Sequence, residues 1–69
     1  MNRIIKFFSY EHLPSMLQDV SKPVCDLAVQ MDGLLQDGAE KQAGLRKLLE
    51  AKDCFVRAVL EEGVQFPPS

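Results

Sequence analysis

Tyr10, Glu11 and His12 stand together in the opening stretch IIKFFSYEHLP, residues 4 to 14, and Lys22 follows in the next segment. A tyrosine offers a flat face that stacks on a nucleobase with little regard to its identity, at about 1–3 kcal/mol per base. A lysine holds a phosphate as a point charge. Three of the five aromatic residues, Phe7, Phe8 and Tyr10, fall within four positions here. Phe7 and Phe8 are expected to plug the open end of the fold, leaving Tyr10 as the aromatic residue free to meet a ligand. Two further cations enter the same chemistry: Arg46, and Lys52 in the middle of a leucine-rich stripe. A lysine so placed either snorkels, with its stem in the core and its ammonium at the rim, or lines an anion pocket.

Catalytic chemistry finds less to work with. His12 is the sole histidine, and no serine or cysteine sits in a GxSxG-type motif. The four glycines form neither a GxGxxG nor a GxxxxGK[ST] phosphate loop. Carboxylates lie among lysines and arginines at helical spacing, as with Asp53 and Arg57 at i, i+4, and read as solvated salt links. An enzyme is not expected, and neither is a cofactor. Cys25 and Cys54 form no CxxC pair, and with one histidine they supply too few ligands for a closed metal cage. Both are expected to be buried thiols in a cytosolic protein, since MNRIIKFF has no apolar run or cleavage site of the signal-peptide kind.

The elements that must position these residues are helical. Leu13, Met16, Leu17, Val20, Val24, Leu27, Ala28, Met31, Leu34 and Leu35 recur in three- and four-residue steps, the pattern of an apolar helix face. A helix is expected over 13–36, with Pro14 in its first turn and Asp37-Gly38 beyond its end. Pro23 falls inside it, removing one hydrogen bond and crowding the carbonyl of Asp19. The stripe stays in phase across it, which favours one kinked helix; Ser21 as the cap of a second, separate helix is the alternative. A second helix is expected over 39–62, ending at Gly63, with 63–69 as a tail containing Pro67 and Pro68. Its stripe is Leu45, Leu48, Leu49, Phe55, Val56, Val59 and Leu60. Its other side carries Ala43, Lys47, Ala51, Cys54 and Ala58, mostly small. Residues 1–12 form an N-terminal segment containing a single helical turn.

The fold class is therefore all-α: a kinked helical hairpin with a short N-terminal segment. A 69-residue chain buries a small share of its surface, and a helix with two packable faces and one long neighbour leaves apolar surface over. Assembly into a homo-oligomer covers it. No segment has the roughly 18 apolar residues in a row that a membrane span needs, so a soluble protein with no membrane partner is expected. The net charge of −2, with both signs mixed along the chain, gives no broad attraction for DNA.

The stretch FFSYEHLPSMLQDVSKPVCDLA followed by AGLRKLLEAKDCFVRAVL resembles the small phage proteins that sequester cyclic oligonucleotide signals, the anti-CBASS sponges, and the related anti-Thoeris sponges that capture cyclic ADP-ribose isomers. The resemblance runs from about Phe8 to Leu60. It is carried by the aromatic-Ser-Tyr opening at Phe8-Ser9-Tyr10 and by the block from Leu45 to Leu48 and Glu50-Ala51. It implies a compact helical protein assembling into a homohexamer. Cyclic dinucleotides would lie in pockets between protomers, with cyclic trinucleotides taken at separate sites in some members, and no ligand would be cleaved. The setting implied is immune evasion in the cytoplasm of an infected bacterial host.

Carried over by position, Tyr10 matches the base-stacking tyrosine, with Phe8 beside it in the motif. Lys22 is the nearest match to the phosphate-contacting basic residue. The spacing is shorter than in better-known members, so Ser21 is the alternative at that position. Arg46 and Lys52 join the ligand-binding candidates by charge and placement alone. Glu11 and His12 replace a His-Pro-type turn, leaving base preference open. Two rival readings remain, a helical module that docks on another protein and a nucleic-acid-binding hairpin, the second opposed by the acidic balance.

Overall fold

A computed structural model of the chain describes residues 2–65. They form an N-terminal 3-10 helix, Arg3–Phe8, then α1, Ser15–Leu34, and α2, Ala39–Gln65. The architecture is all-helical, without strands among the described residues. The two long helices pack side by side as a hairpin, and the 3-10 helix lies against both.

Each boundary has a local cause. Asn2 caps the 3-10 helix, its side-chain oxygen accepting from Ile4 N at 3.1 Å. The segment makes two tight turns where a single turn was expected. Pro14 stands just outside α1, its carbonyl accepting from Leu17 N at 2.9 Å and Gln18 N at 3.0 Å. A proline suits that place because its fixed φ is compatible with helix entry and its missing N–H is not needed. α1 continues unbroken through Pro23, so Ser21 does not cap a separate helix. α2 passes through Gly63 to Gln65. Glycine costs a helix about 1 kcal/mol relative to alanine but does not by itself end one. Of the tail expected over 63–69, residues 63–65 are thus helical, and 66–69 lie outside the described residues.

The core is small: Ile5, Phe8, Val24, Ala28 and Leu45 form one buried cluster, with Ile4, Cys25, Met31, Leu48 and Leu49 packed around it. Phe8 is fully buried. Phe7 does not join it in plugging the fold as expected. It is 56% exposed, with the Lys6 ammonium 5.3 Å from its ring centroid. Adjacent residues on a 3-10 helix point about 120° apart, so one phenylalanine enters the core and its neighbour leaves it. The cysteines also depart from expectation: Cys25 is half-buried and Cys54 exposed, both free thiols. Arg57 Nη2 reaches Cys54 Sγ at 3.4 Å, in place of the expected link to Asp53.

Two lysines on the inward stripe of α2 fasten the hairpin. Lys41 lies at the turn end, its side chain 6% exposed. It contacts the Asp32 carboxylate at 2.9 Å and that of Asp37 at 3.1 Å. It also donates to the carbonyls of Asp32 at 2.9 Å and Leu35 at 3.0 Å, satisfying acceptors that the end of α1 leaves open. Asp32 in turn accepts from Asn2 N at 3.2 Å, and Asn2 Nδ2 donates to Gln42 Oε1. This clasp ties the chain's start, the end of α1 and the start of α2 together.

The clasp makes stability depend on pH. The hydrogen bond from Lys41, helped by that from Asn2 N, holds the Asp32 carboxyl below the usual carboxylate range. The bond to Asp32, with a smaller part from Asp37, holds Lys41 above the usual lysine range. Asp32's contribution is complete above its unfolded value of about 3.9 and is lost as pH falls through its lower folded value. Lys41's is complete below about 10.4 and is lost as pH rises through its higher folded value. Urea midpoints measured from pH 7 down to pH 2 should fall for the parent. For Asp32→Asn the midpoint should start lower and fall less, so that the gap narrows in acid. A gap that stays constant would remove Asp32 from this role.

Candidate functional site

The Tyr10 segment connects the 3-10 helix to α1. Phe8 anchors its start in the core, and the Ser9 N–H donates to Lys6 O at 3.3 Å. On the near side of Tyr10, Lys52 reaches across from α2, donating from Nζ to the carbonyls of Phe7 at 3.1 Å and Ser9 at 3.4 Å. On the far side, Gln18 of α1 donates from Nε2 to the carbonyls of Leu13 at 2.7 Å and, more weakly, Glu11 at 3.4 Å. Between them the Tyr10 carbonyl accepts from Leu13 N at 3.0 Å, closing a turn. Tyr10 is half-buried, while Glu11 and His12 are exposed. Each long helix thus supplies one side chain that holds backbone beside Tyr10.

Lys22 stands on the outer face of α1, its side chain 57% exposed, paired with Asp26 at 3.0 Å one turn on. Asp26, through its hydrogen bond and then its charge, raises the Lys22 ammonium above the ordinary lysine range, and the Tyr10 phenol adds to that shift. Burial, with Asp26, pushes the neighbouring Cys25 thiol up, which leaves little thiolate near neutral pH for nucleophilic work.

The other candidates differ in exposure. Ser21 is fully buried, so of the two residues offered for phosphate contact only Lys22 meets the outside of this chain. Successive helical residues point about 100° apart, which is enough to put one in the interface and the other in solvent. Phe8 is a core residue, because its ring is fully enclosed. Lys52 is 8% exposed, and its ammonium is engaged with carbonyls rather than open to an anion. Arg46 is exposed on α2, but six residues from Lys52 put it about 9 Å along the helix and about 120° around it. Of the proposed set, Tyr10 is half-buried, and Lys22 and Arg46 are exposed.

Ser21 Oγ has no hydrogen-bond partner in its buried position. An unmet buried hydroxyl costs about 1–3 kcal/mol, so Ser21→Ala should leave stability unchanged or raise it, as read from the urea midpoint. A clear loss would show that the hydroxyl has a partner in the assembled protein.

Lys41, Asn2 and Gln18 were not among the residues singled out from the sequence. Lys41 carried a signal, since Lys41, Leu45, Leu48 and Lys52 extend the same three- and four-residue steps by which Lys52 stands out. Its partner Asp32, like the carbonyls Gln18 holds, is set by tertiary packing or turn geometry that periodicity does not encode. The clasp borders an open cleft of about 800 Å³ lined in part by Asn2, Arg3, Asp32, Asp37 and Gln42. Its carboxylates and its engaged lysine suit it to closing the hairpin more than to receiving an anion. Among the described residues, no helix is long and apolar enough to cross a membrane. No protein-family model, curated protein or solved structure matches the chain.

Proposed function

We propose that the chain is a phage immune-evasion protein that captures cyclic di- or trinucleotide second messengers without cleaving them, in the cytoplasm of an infected bacterium. In this reading a base stacks on Tyr10 and a phosphate is met by Lys22. The observation that carries it is the held Tyr10 segment, its backbone tied down by Gln18 of α1 and Lys52 of α2, while Lys22 stands as an exposed cation on α1. That pair provides affinity for a nucleotide by stacking and charge, with no general base needed. Its i, i+4 partner Asp26 is solvent-exposed, and such pairs contribute little, so exchanging Asp26 for a phosphate is inexpensive.

Neither Tyr10 nor Lys22 lines a cleft described in one protomer, and in this reading the homohexamer implied by the resemblance supplies the walls of the pocket. Apolar surface supports association. Met16, Leu27, Leu34, Phe55 and Leu60 are each more than 40% exposed. A groove of about 460 Å³ between the helices is lined by Val20, Pro23, Val24, Phe55, Ala58 and Val59, with Asp19 at its edge. The same surface would serve a module that docks on another protein, which would bind no small ligand.

Calorimetric titration with cyclic dinucleotides, a cyclic trinucleotide and a cyclic ADP-ribose isomer, with linear dinucleotides as controls, tests the reading. Binding of a cyclic nucleotide at about one per two protomers, with the ligand recovered intact after heating, supports it. Capture of the cyclic ADP-ribose isomer alone reassigns the sponge to that ligand. No heat from any cyclic compound, with the protein folded and assembled, refutes it.

A further inference from the structure

Lys52 is a cation on the inward stripe of a helix, and the placement needs a cause. An aliphatic residue would fill the same space without the penalty of taking a charge out of water. Among the described residues no carboxylate lies within ion-pair distance of its ammonium. What it holds is backbone: the carbonyls of Phe7 and Ser9, distant by 45 and 43 positions in the chain. These flank Phe8, the fully buried anchor, at the end of the 3-10 helix. A helix leaves its last carbonyls without partners, and a cation there meets both the open acceptors and the negative end of the helix dipole. An ammonium has three donors, and two are spent on the residues that precede Tyr10.

We infer that Lys52 is a positioning residue for Tyr10: it acts through the Phe7 and Ser9 carbonyls to set where the Tyr10 ring stands, and does not itself touch ligand. Resting on the reading of Tyr10 as the stacking residue, the inference moves Lys52 from the anion site to the frame behind it. The two lysines of the stripe then play parallel parts. Lys41 closes the end of α1, and Lys52 closes the end of the 3-10 helix with the ligand-facing segment attached.

The chain has one tyrosine and no tryptophan, so fluorescence excited at the tyrosine band reports Tyr10 alone, with no ligand present. Lys52→Met keeps most of the stem and removes the donors. Acrylamide quenching of Tyr10 in this variant should rise toward that of an unfolded peptide while the helical circular dichroism of α1 and α2 is kept. Met31→Ala, packed against the core near the turn end of α1, should lower stability without loosening Tyr10. Unchanged quenching in folded Lys52→Met, or equal loosening in Met31→Ala, would overturn the inference.

If Lys52→Met does not fold, the parent decides. In uniformly labelled protein, scalar coupling across the hydrogen bond between Lys52 Nζ and the Phe7 carbonyl carbon should be detectable. Its absence would mean the ammonium is not held there. None of these readouts requires a nucleotide, so failure of the parent to bind one would fall on the functional reading and leave this test standing.

Discussion

Phe8→Ala should unfold the isolated chain or bring it to the edge of unfolding. Among the described residues Phe8 is the largest fully buried side chain, packed in one cluster with Ile5, Val24, Ala28 and Leu45. Replacing a buried phenylalanine by alanine costs about 3–5 kcal/mol, part from lost transfer energy and part from the cavity left behind. Native stability amounts to roughly 0.05–0.15 kcal/mol per residue, or about 3–10 kcal/mol for a chain of this length. The substitution therefore removes a large fraction of the total. Phe7→Ala, one position away and largely exposed, should cost far less. Urea unfolding followed by circular dichroism would compare them. Equal losses would mean that the pair is not divided between core and surface in solution.

Tyr10→Ala should weaken cyclic nucleotide binding by about 5- to 150-fold, the affinity equivalent of about 1–3 kcal/mol for one stacked base, and leave fold and assembly intact. Tyr10 lies outside the buried cluster, and the side-chain hydrogen bonds that hold its segment go to backbone carbonyls. Lys22→Glu should be worse, because it places a negative charge against the phosphate and beside Asp26. The two can be scored by calorimetry together with size-exclusion light scattering. Parent-like affinity in Tyr10→Ala would remove the stacking role. Parent-like affinity in Lys22→Glu would move the phosphate contact to Arg46 or to a residue of a neighbouring protomer.

The hairpin was legible because each long helix writes its apolar stripe in three- and four-residue steps, and those steps survive Pro23. Lys52 was legible as an anomaly and not as a role. A cation in a leucine stripe says that something must be met, and only the packing of the 3-10 helix against α2 shows that backbone carbonyls meet it. Ser21 and Lys22 are neighbours in sequence, and the apolar stripe of α1 already turns Lys22 away from itself, as its exposure bears out, whereas the full burial of Ser21 comes from packing. Gly63 looked like a stop because glycine is common at helix ends, yet residue type alone did not carry the information that α2 continues. Phe7 and Phe8 misled as a pair, since the tight winding of a 3-10 helix sends adjacent side chains in different directions.

The central claim, that a cyclic nucleotide stacks on Tyr10, has a direct readout in the ring of that single tyrosine. Protein carrying ring-labelled 13C-tyrosine gives one set of aromatic signals, and these can be followed by NMR as a cyclic dinucleotide is added. The account predicts saturable upfield ring-current shifts for a cyclic ligand, with Lys22→Glu requiring much more ligand to produce them. Tyr10 signals that stay in place while calorimetry records binding would contradict it and locate the nucleotide elsewhere on the protein.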